Sequence, residues 1–288
     1  GIVLEMLKNY PHVDVKFDAK ATGVTQDGNS VEVTWQTAGE DMKQRGAYVI
    51  GSDGGRSVIR QSAGIEFPGF TFPELFVTAS LGEDVTKTVP DMGNVAYIYD
   101  PDEWCAVIHA PNMWRFLIPT KPGADRDHVV SDEYLLPRVR FFAKLDHDPV
   151  LIHRTRYDVH QRVADTYNKG RILIAGDAAH LNNPVGGMGM NGGVQDAYNL
   201  ADKLAAIIND DEDESVLDRY TRQRREIAVE YVNAQTARNK KTLEERDPEL
   251  RRKHYDDLRA IAADPKRTRE LLLQTTMINA VRRAEAIE

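Results

Sequence analysis

Two apolar runs in this 288-residue chain end in glycine and aspartate: Tyr48-Val49-Ile50-Gly51-Ser52-Asp53-Gly54-Gly55 and Ile172-Leu173-Ile174-Ala175-Gly176-Asp177. A continuously apolar strand with glycine after it suits a parallel strand buried on both faces. A carboxylate at the end of such a strand sits where open α/β sheets bind ligands, and it can accept hydrogen bonds from ribose hydroxyls. The plainer role is to cap the turn that follows, Ala178-Ala179-His180 in the second case. Two strand-end aspartates, 124 residues apart and each beside glycine, are less easily explained as two unrelated caps.

A third stretch, Gly187, Gly189 and Gly192, spells G-x-G-x-x-G. A phosphate-gripping turn with those letters follows its strand at once, opens a helix and has an acidic residue about 20 positions on at a strand end. Here the strand ends near Ala175, twelve residues before Gly187, and the acidic run 210–214 comes after a helix. The cluster is therefore read as a loop whose glycines let the backbone approach something closely, feeding a helix expected to start near Met190 or Asn191. Free N–H groups and the positive dipole end of that helix favour negative charge. A tight turn packing a helix against a strand would use the same glycines.

The surrounding elements must position these residues. Val3, Met6, Leu7 and Tyr10 mark an opening helix, and alternation predicts strands at 13–18, 21–25 and 31–36, with Asp27-Gly28-Asn29 turning the last two into a hairpin. Residues 71–120 are broken by Pro73, Pro90, Pro101 and Pro111 and read as an antiparallel sheet, including 95–99, 104–109 and 113–118. A helix over 127–145 and an extended segment over 150–160 follow. Val194, Ala197, Ala201, Leu204 and Ile208 predict the apolar face of the next helix, which the acidic run ends as a solvated loop. Three more helices are expected, capped by Ser215, Asp247-Pro248 and Asp264-Pro265. The fold class is α/β with an α+β insert. A β-rich insert between two parallel-type strands implies two interleaved lobes with a cleft between them.

Composition narrows the function. A net charge of -8 and a pI near 5.6 argue against a general nucleic-acid binder. Cys105 is the only cysteine, so neither an intrachain disulfide nor a cysteine metal cluster can form. A reducing, cytoplasmic setting fits, although a disulfide-free secreted protein would look the same. Nothing approaches eighteen consecutive apolar residues, and the start is not a signal peptide. Gly1 leading directly into a helical pattern reads as the middle of a longer protein or as a processed terminus.

These residues resemble the aromatic-ring flavoprotein monooxygenases, the para-hydroxybenzoate hydroxylase-like group of FAD enzymes. Residues 48–60, YVIGSDGGRSVIR, match the aspartate-glycine motif associated with the FAD pyrophosphate and NAD(P)H. Residues 171–180, RILIAGDAAH, match the glycine-aspartate motif, whose aspartate contacts the FAD ribitol or ribose. Pro184, Gly187, Gly189, Met190 and Asn191 match the loop and helix start beside the flavin ring, and Asp196-Ala197-Tyr198-Asn199-Leu200 continues the pattern. Over residues 1–235 the resemblance implies cofactor-binding roles for Asp53, Gly54, Arg56, Ser57, Gly176, Asp177, Pro184, Gly187, Gly189, Met190 and Asn191. It implies FAD as cofactor and NADH or NADPH as co-substrate. The reduced flavin would react with O2 to a C4a-hydroperoxide that hydroxylates a small aromatic, phenol-like substrate.

The family's first fingerprint, a strand, G-x-G-x-x-G and helix that grip the ADP half of FAD, has no counterpart in these residues. The expectation is an incomplete Rossmann-like FAD-binding domain (1–70 and 150–214), interleaved with a β-rich substrate domain (71–149) and followed by C-terminal helices (215–288), in a chain that reads as a fragment. No nucleic acid and no integral membrane segment are expected, and a homodimer is left open. Tyr97, Tyr99, His109, Trp114 and Arg115 lie on the insert and are the candidates for the substrate side. Strand alternation puts Trp114 and Phe116 on one face and Arg115 on the other. His109 is the candidate for assisting phenol deprotonation. His180 reads as a structural hydrogen-bonder, and His160 has no assigned role. Two alternatives remain: another flavin oxidoreductase on the same scaffold, such as a reductase or epoxidase, and a non-catalytic binding or regulatory protein lacking the ADP-gripping unit. A nucleotide-binding methyltransferase would leave Asp53 unexplained.

Overall fold

The computed structural model describes residues 1–100 and 102–288, without the side chains of 231–233. Pro101, read above as a strand breaker, lies outside them. Helix α1 (Ile2–Leu7) forms as its spacing predicts, yet none of its residues is buried. Residues 13–18 are irregular rather than a strand. Their alternating Val13, Val15 and Phe17 are exposed, and no neighbouring strand takes up their backbone groups.

The hairpin forms where expected, from β1 (Lys20–Gln26) and β2 (Val31–Thr37). The Asp27 carboxylate accepts the Asn29 and Ser30 N–H groups at 3.2 and 3.0 Å, and Gly28 adopts φ +89°. A third strand, β3 (Glu40–Gly46), completes this sheet and is invisible to pattern reading. All seven of its residues are exposed, and only the ladder to β2 makes it a strand.

Strand β4 (Val49–Gly51) leads to α2 (Val58–Ser62) and then to the long β5 (Gly69–Leu81). Pro73 lies inside β5, where proline would normally break a ladder. It is tolerated because the register shifts between Thr71 and Leu75, so no partner needs its missing N–H. The meander continues with β6 (Val95–Ile98), β7 (Cys105–Ala110) and β8 (Met113–Pro119), followed by α3 (Asp132–Ala143), which Ser131 caps onto Tyr134 N–H at 3.2 Å. Then come β9 (Leu151–Val163), β10 (Asn168–Lys169), β11 (Ile172–Ile174) and β12 (His180–Leu181). The six-stranded antiparallel sheet has the order β12-β9-β5-β8-β7-β6. Val77, Ala79, Val107, Phe116 and Ile118 on one of its faces pack against Leu135, Val139 and Phe142 of α3.

The two motif-bearing strands meet: β11 pairs in parallel with β4, Ile172 opposite Val49 through Ile174 opposite Gly51. Burial on both faces holds for β11, where no residue exceeds 2% exposure, but not for β4, where Ile50 is 48% exposed.

The chain ends in α4 (Met188–Asn209), α5 (Val216–Ile227), α6 (Ala234–Leu243), α7 (Pro248–Ala263), α8 (Pro265–Thr275) and α9 (Ile278–Glu285). After α4 there are five helices rather than three, because a π-helical turn at Ala228–Asn233 separates α5 from α6 and Met277, at φ +62°, starts α9. Asp247 and Asp264 cap α7 and α8 as expected, whereas Ser215 stands at the start of α5 without a side-chain capping bond. The acidic run is not only solvated: Glu214 accepts the Tyr48 hydroxyl at 2.6 Å and pairs with Arg171 at 2.5 Å.

The inward face of α4 also differs. Val194, Ala197, Ala201 and Ile208 are exposed, and the buried line is Met188, Gly192, Asp196 and Leu200. A buried arginine opposite turns the helix so that its aspartate faces inward, which an apolar periodicity cannot register. Among the described residues no helix is long and apolar enough to cross a membrane.

Candidate functional site

Strand β4 delivers Asp53 to a turn that its own carboxylate shapes. One oxygen accepts the Ser57 hydroxyl at 2.5 Å, and the other accepts Val58 and Ile59 N–H at 2.7 and 3.2 Å. Asp53 is thus a helix cap, and Ser57, fully buried, extends the chain of bonds to Arg60 N–H at 2.9 Å. What the turn still offers a ligand is the backbone of Gly54 and Gly55 and the exposed guanidinium of Arg56. Gly54 sits at φ +80° with open space where a side chain would stand. A free guanidinium beside an accessible glycine backbone suits a phosphate.

Arg60 fixes this turn to the second motif. It is 5% exposed, donates to Gly55 O and to Ala178 O at 2.9 Å each, and lies over the Phe67 ring at 3.8 Å. One buried side chain therefore sets the spacing of the two aspartate loops. Arg60→Met keeps the apolar stem but orphans two carbonyls, and we expect a loss of about 2–4 kcal/mol in chemical denaturation. A loss below about 1 kcal/mol would contradict this bracing role.

Strand β11 ends in Gly176 at φ +60°, whose N–H donates to Asp196 at 3.0 Å. Asp177 follows, exposed and without a partner among the described residues, and no side chain caps its turn. The two strand-end aspartates therefore differ: Asp53 is spent on its own helix, and Asp177 is free to accept.

Behind Asp177 lies a network that motif reading did not single out. Asp196, with no exposed surface, accepts His180 Nε2–H at 2.8 Å and Arg224 Nε–H at 2.6 Å besides Gly176 N–H. Burial alone would raise its carboxyl, but His180 and Arg224 hold it below the usual aspartate range. His180 is a structural hydrogen-bonder here, its ring stacked on Tyr167 at 6.2 Å. The sequence signal was present, since Asp196 continued the quoted pattern, but Arg224 carries no local mark.

The glycine cluster divides by role. Gly187, at φ +65°, opens α4 two residues earlier than expected, and no side chain caps the helix. Met190 is 79% exposed at this uncapped start, where Asn191 Nδ2 donates to Gly187 O at 3.0 Å. Pro184 O accepts Gly187 N–H at 3.1 Å. Gly192 and Gly193 serve packing: a Cβ would stand 3.1 Å from His180 Cε1 and 3.2 Å from Gly176 Cα respectively. A Cβ on Gly189 would stand 3.3 Å from Asn182.

The six-stranded sheet turns its second face toward this loop. Phe76, Ala106, Leu117 and Val159 pack there with Val185 and Trp104, beside Tyr97, Tyr99 and Tyr157. Burial raises the Tyr97 phenol and pushes Tyr157 up to about 12. The substrate-side candidates divide accordingly. Tyr97, Tyr99 and Arg115 belong to this face, with Arg115 donating to Ser80 Oγ at 3.3 Å. Trp114 is buried in the α3-side core, and the exposed His109 stacks on it at 4.3 Å. The face opposite the glycine loop thus holds His109 and Trp114.

Among the described residues Asp177 keeps a carboxylate free to accept, α4 starts without a side-chain cap, and Gly54 and Gly187 leave open space where a side chain would stand. A family model described as FAD binding domain matches residues 2–235. Para-nitrophenol 4-monooxygenase of Pseudomonas sp. (strain WBC-3) is 29% identical over 291 residues, covering 98% of this chain and 70% of the relative. A protein of Rhodococcus jostii (strain RHA1), described as "Probable NADH-specific resorcinol 4-hydroxylase", is 31% identical over 260 residues, covering 87% of this chain and 48% of the relative. The crystal structure of p-nitrophenol 4-monooxygenase from Pseudomonas putida DLL-E4 superposes with a TM-score of 0.87 at 29% identity, over 94% of this chain and 69% of that one. The chain thus spans about two thirds of one kind of relative and about half of another.

Proposed function

The chain belongs to the FAD-binding-domain family, and from that premise we propose that it serves an FAD- and NAD(P)H-dependent monooxygenase that hydroxylates a phenol-like ring. The observation that carries the reading is the unpartnered Asp177 carboxylate at the end of β11, beside the uncapped start of α4. Asp177 accepts hydrogen bonds from ribose or ribitol hydroxyls. Gly54, Gly55 and Arg56 would hold the pyrophosphate, with Asp53 and Ser57 keeping their turn in shape. The start of α4, from Gly187 to Asn191, would hold the electron-rich side of the ring with backbone N–H groups and a positive dipole end. When bound, FAD supplies the redox chemistry and the activation of O2.

The second face of the six-stranded sheet supplies an apolar, aromatic wall for the substrate and keeps water from it. In this reading residues 1–70 and 150–214 serve the cofactor, 71–149 the substrate, and 215–288 brace them from behind through Arg224. Phenolic substrates and NADH find support in the two relatives named above.

The test uses the full natural protein carrying this chain, loaded with FAD. A phenol should stimulate NADH or NADPH oxidation, and labelled O2 should place one labelled oxygen in the product. Flavin-loaded protein that no phenol stimulates, or product oxygen drawn from water, would overturn the proposal.

A further inference from the structure

The loop over residues 182–187 lies against the second face of the six-stranded sheet and is fastened at both of the sheet's sides. At β9, Gln161 Oε1 accepts Asn183 N–H at 3.2 Å and Asn183 Nδ2–H at 3.4 Å. At β6, Tyr97 Oη accepts Gly186 N–H at 2.9 Å. The strand order puts β5, β8 and β7 between these two anchors. Val185, 2% exposed, packs among Phe76, Leu117 and Ala106 from those three strands, and its N–H donates to Asn183 Oδ1 at 3.1 Å. Gly186 sits at φ +112°, where L side chains are strained, and a Cβ there would stand 2.9 Å from Asn239 Nδ2. Its neighbour Gly187 opens α4.

We propose that Tyr97 is a positioning residue: its hydroxyl fixes Gly186 and so the start of α4, holding the sheet face and the helix terminus in one frame. A ring resting on the sheet and a cofactor edge resting on α4 are then kept at a set separation by a bond that neither ligand supplies. The identity of those ligands rests on the function proposed above; the latch itself does not. Gln161, at the other side of the sheet, does the same for Asn183. The link joins residues 89 positions apart and gives the half-buried Tyr97 hydroxyl a partner in the loop.

Amide hydrogen exchange on the full chain tests this. Tyr97→Phe keeps the ring and removes the acceptor, and Gly186 should exchange roughly fivefold faster, the equilibrium worth of one net hydrogen bond. Residues 172–174 should keep their protection. Gln161→Met should loosen Asn183 in the same way. Tyr157→Phe, in the same aromatic cluster but without a bond to the loop, should leave both sites unchanged. Exchange at Gly186 within about twofold of wild type in Tyr97→Phe would overturn the proposal. So would equal loosening in Tyr157→Phe, or a uniform loss of protection across the chain. FAD affinity is the second readout, and it should weaken in Tyr97→Phe by a similar factor. If the wild type takes up no FAD while the exchange pattern holds, the proposed function fails and the latch stands.

Discussion

Asp196→Ala should destabilise the protein by about 3–5 kcal/mol, the cost of removing one partner from a buried charge network. That is a fifth or more of the roughly 5–15 kcal/mol that holds a typical domain together. The reason is what remains: Arg224 is 2% exposed, and its other acceptors are Gly192 O at 3.3 Å and Gln195 Oε1 at 3.4 Å, both long. His180 loses the acceptor of its Nε2–H, and its Nδ1 already lacks a partner among the described residues. Gly176 N–H loses its acceptor as well, so the turn presenting Asp177 loosens with the fold.

The network also has a pH signature. Asp196 is held below the usual aspartate range, so its stabilisation is fully present above about pH 4 and is lost as pH falls through the depressed native value. The stability gap between wild type and Asp196→Ala, read from urea unfolding, should therefore narrow in acid. A gap near zero at pH 7, or one that widens below pH 4, would contradict the network's role.

Asp177→Ala should do the reverse, leaving the fold alone and crippling ligand binding. The side chain is exposed and unpartnered, so unfolding should move by no more than about 0.5 kcal/mol. A hydrogen bond to a charged acceptor is worth about 1.5–3 kcal/mol, so losing one raises the Kd for FAD roughly 10- to 100-fold. Asp177→Asn keeps an acceptor without the charge and should fall between. Equal FAD affinity in Asp177→Ala and wild type would remove Asp177 from the site. Together the two variants separate holding the frame from meeting the ligand.

Much of this site was legible in the sequence because its signals are local. Strand-end aspartates, the glycine at a hairpin turn and the aspartate-proline caps act within a few residues, and each stands where the pattern put it. The distance from β11 to Gly187 already set the G-x-G-x-x-G letters apart from a phosphate-gripping turn, and in the structure Gly187 opens a helix and Gly192 packs on His180. The misses share one cause, pairing that a segment's own residue pattern does not record. Strand β3 exists only through its ladder to β2. Segment 13–18 alternates correctly but pairs with no strand among the described residues. Helix α4 turns Asp196 inward because Arg224, 28 residues on, awaits it. Arg60 and Tyr97 bridge 118 and 89 residues, and nothing beside them in the chain announces it.

The central claim is that one ligand spans Gly54–Arg56, Asp177 and the start of α4. Amide hydrogen exchange with and without FAD tests it most directly. The account predicts added protection in three separate segments, 54–57, 176–178 and 187–191, with the peripheral edge strand 40–46 unchanged. FAD that binds while those three segments exchange as fast as in the free protein would contradict it.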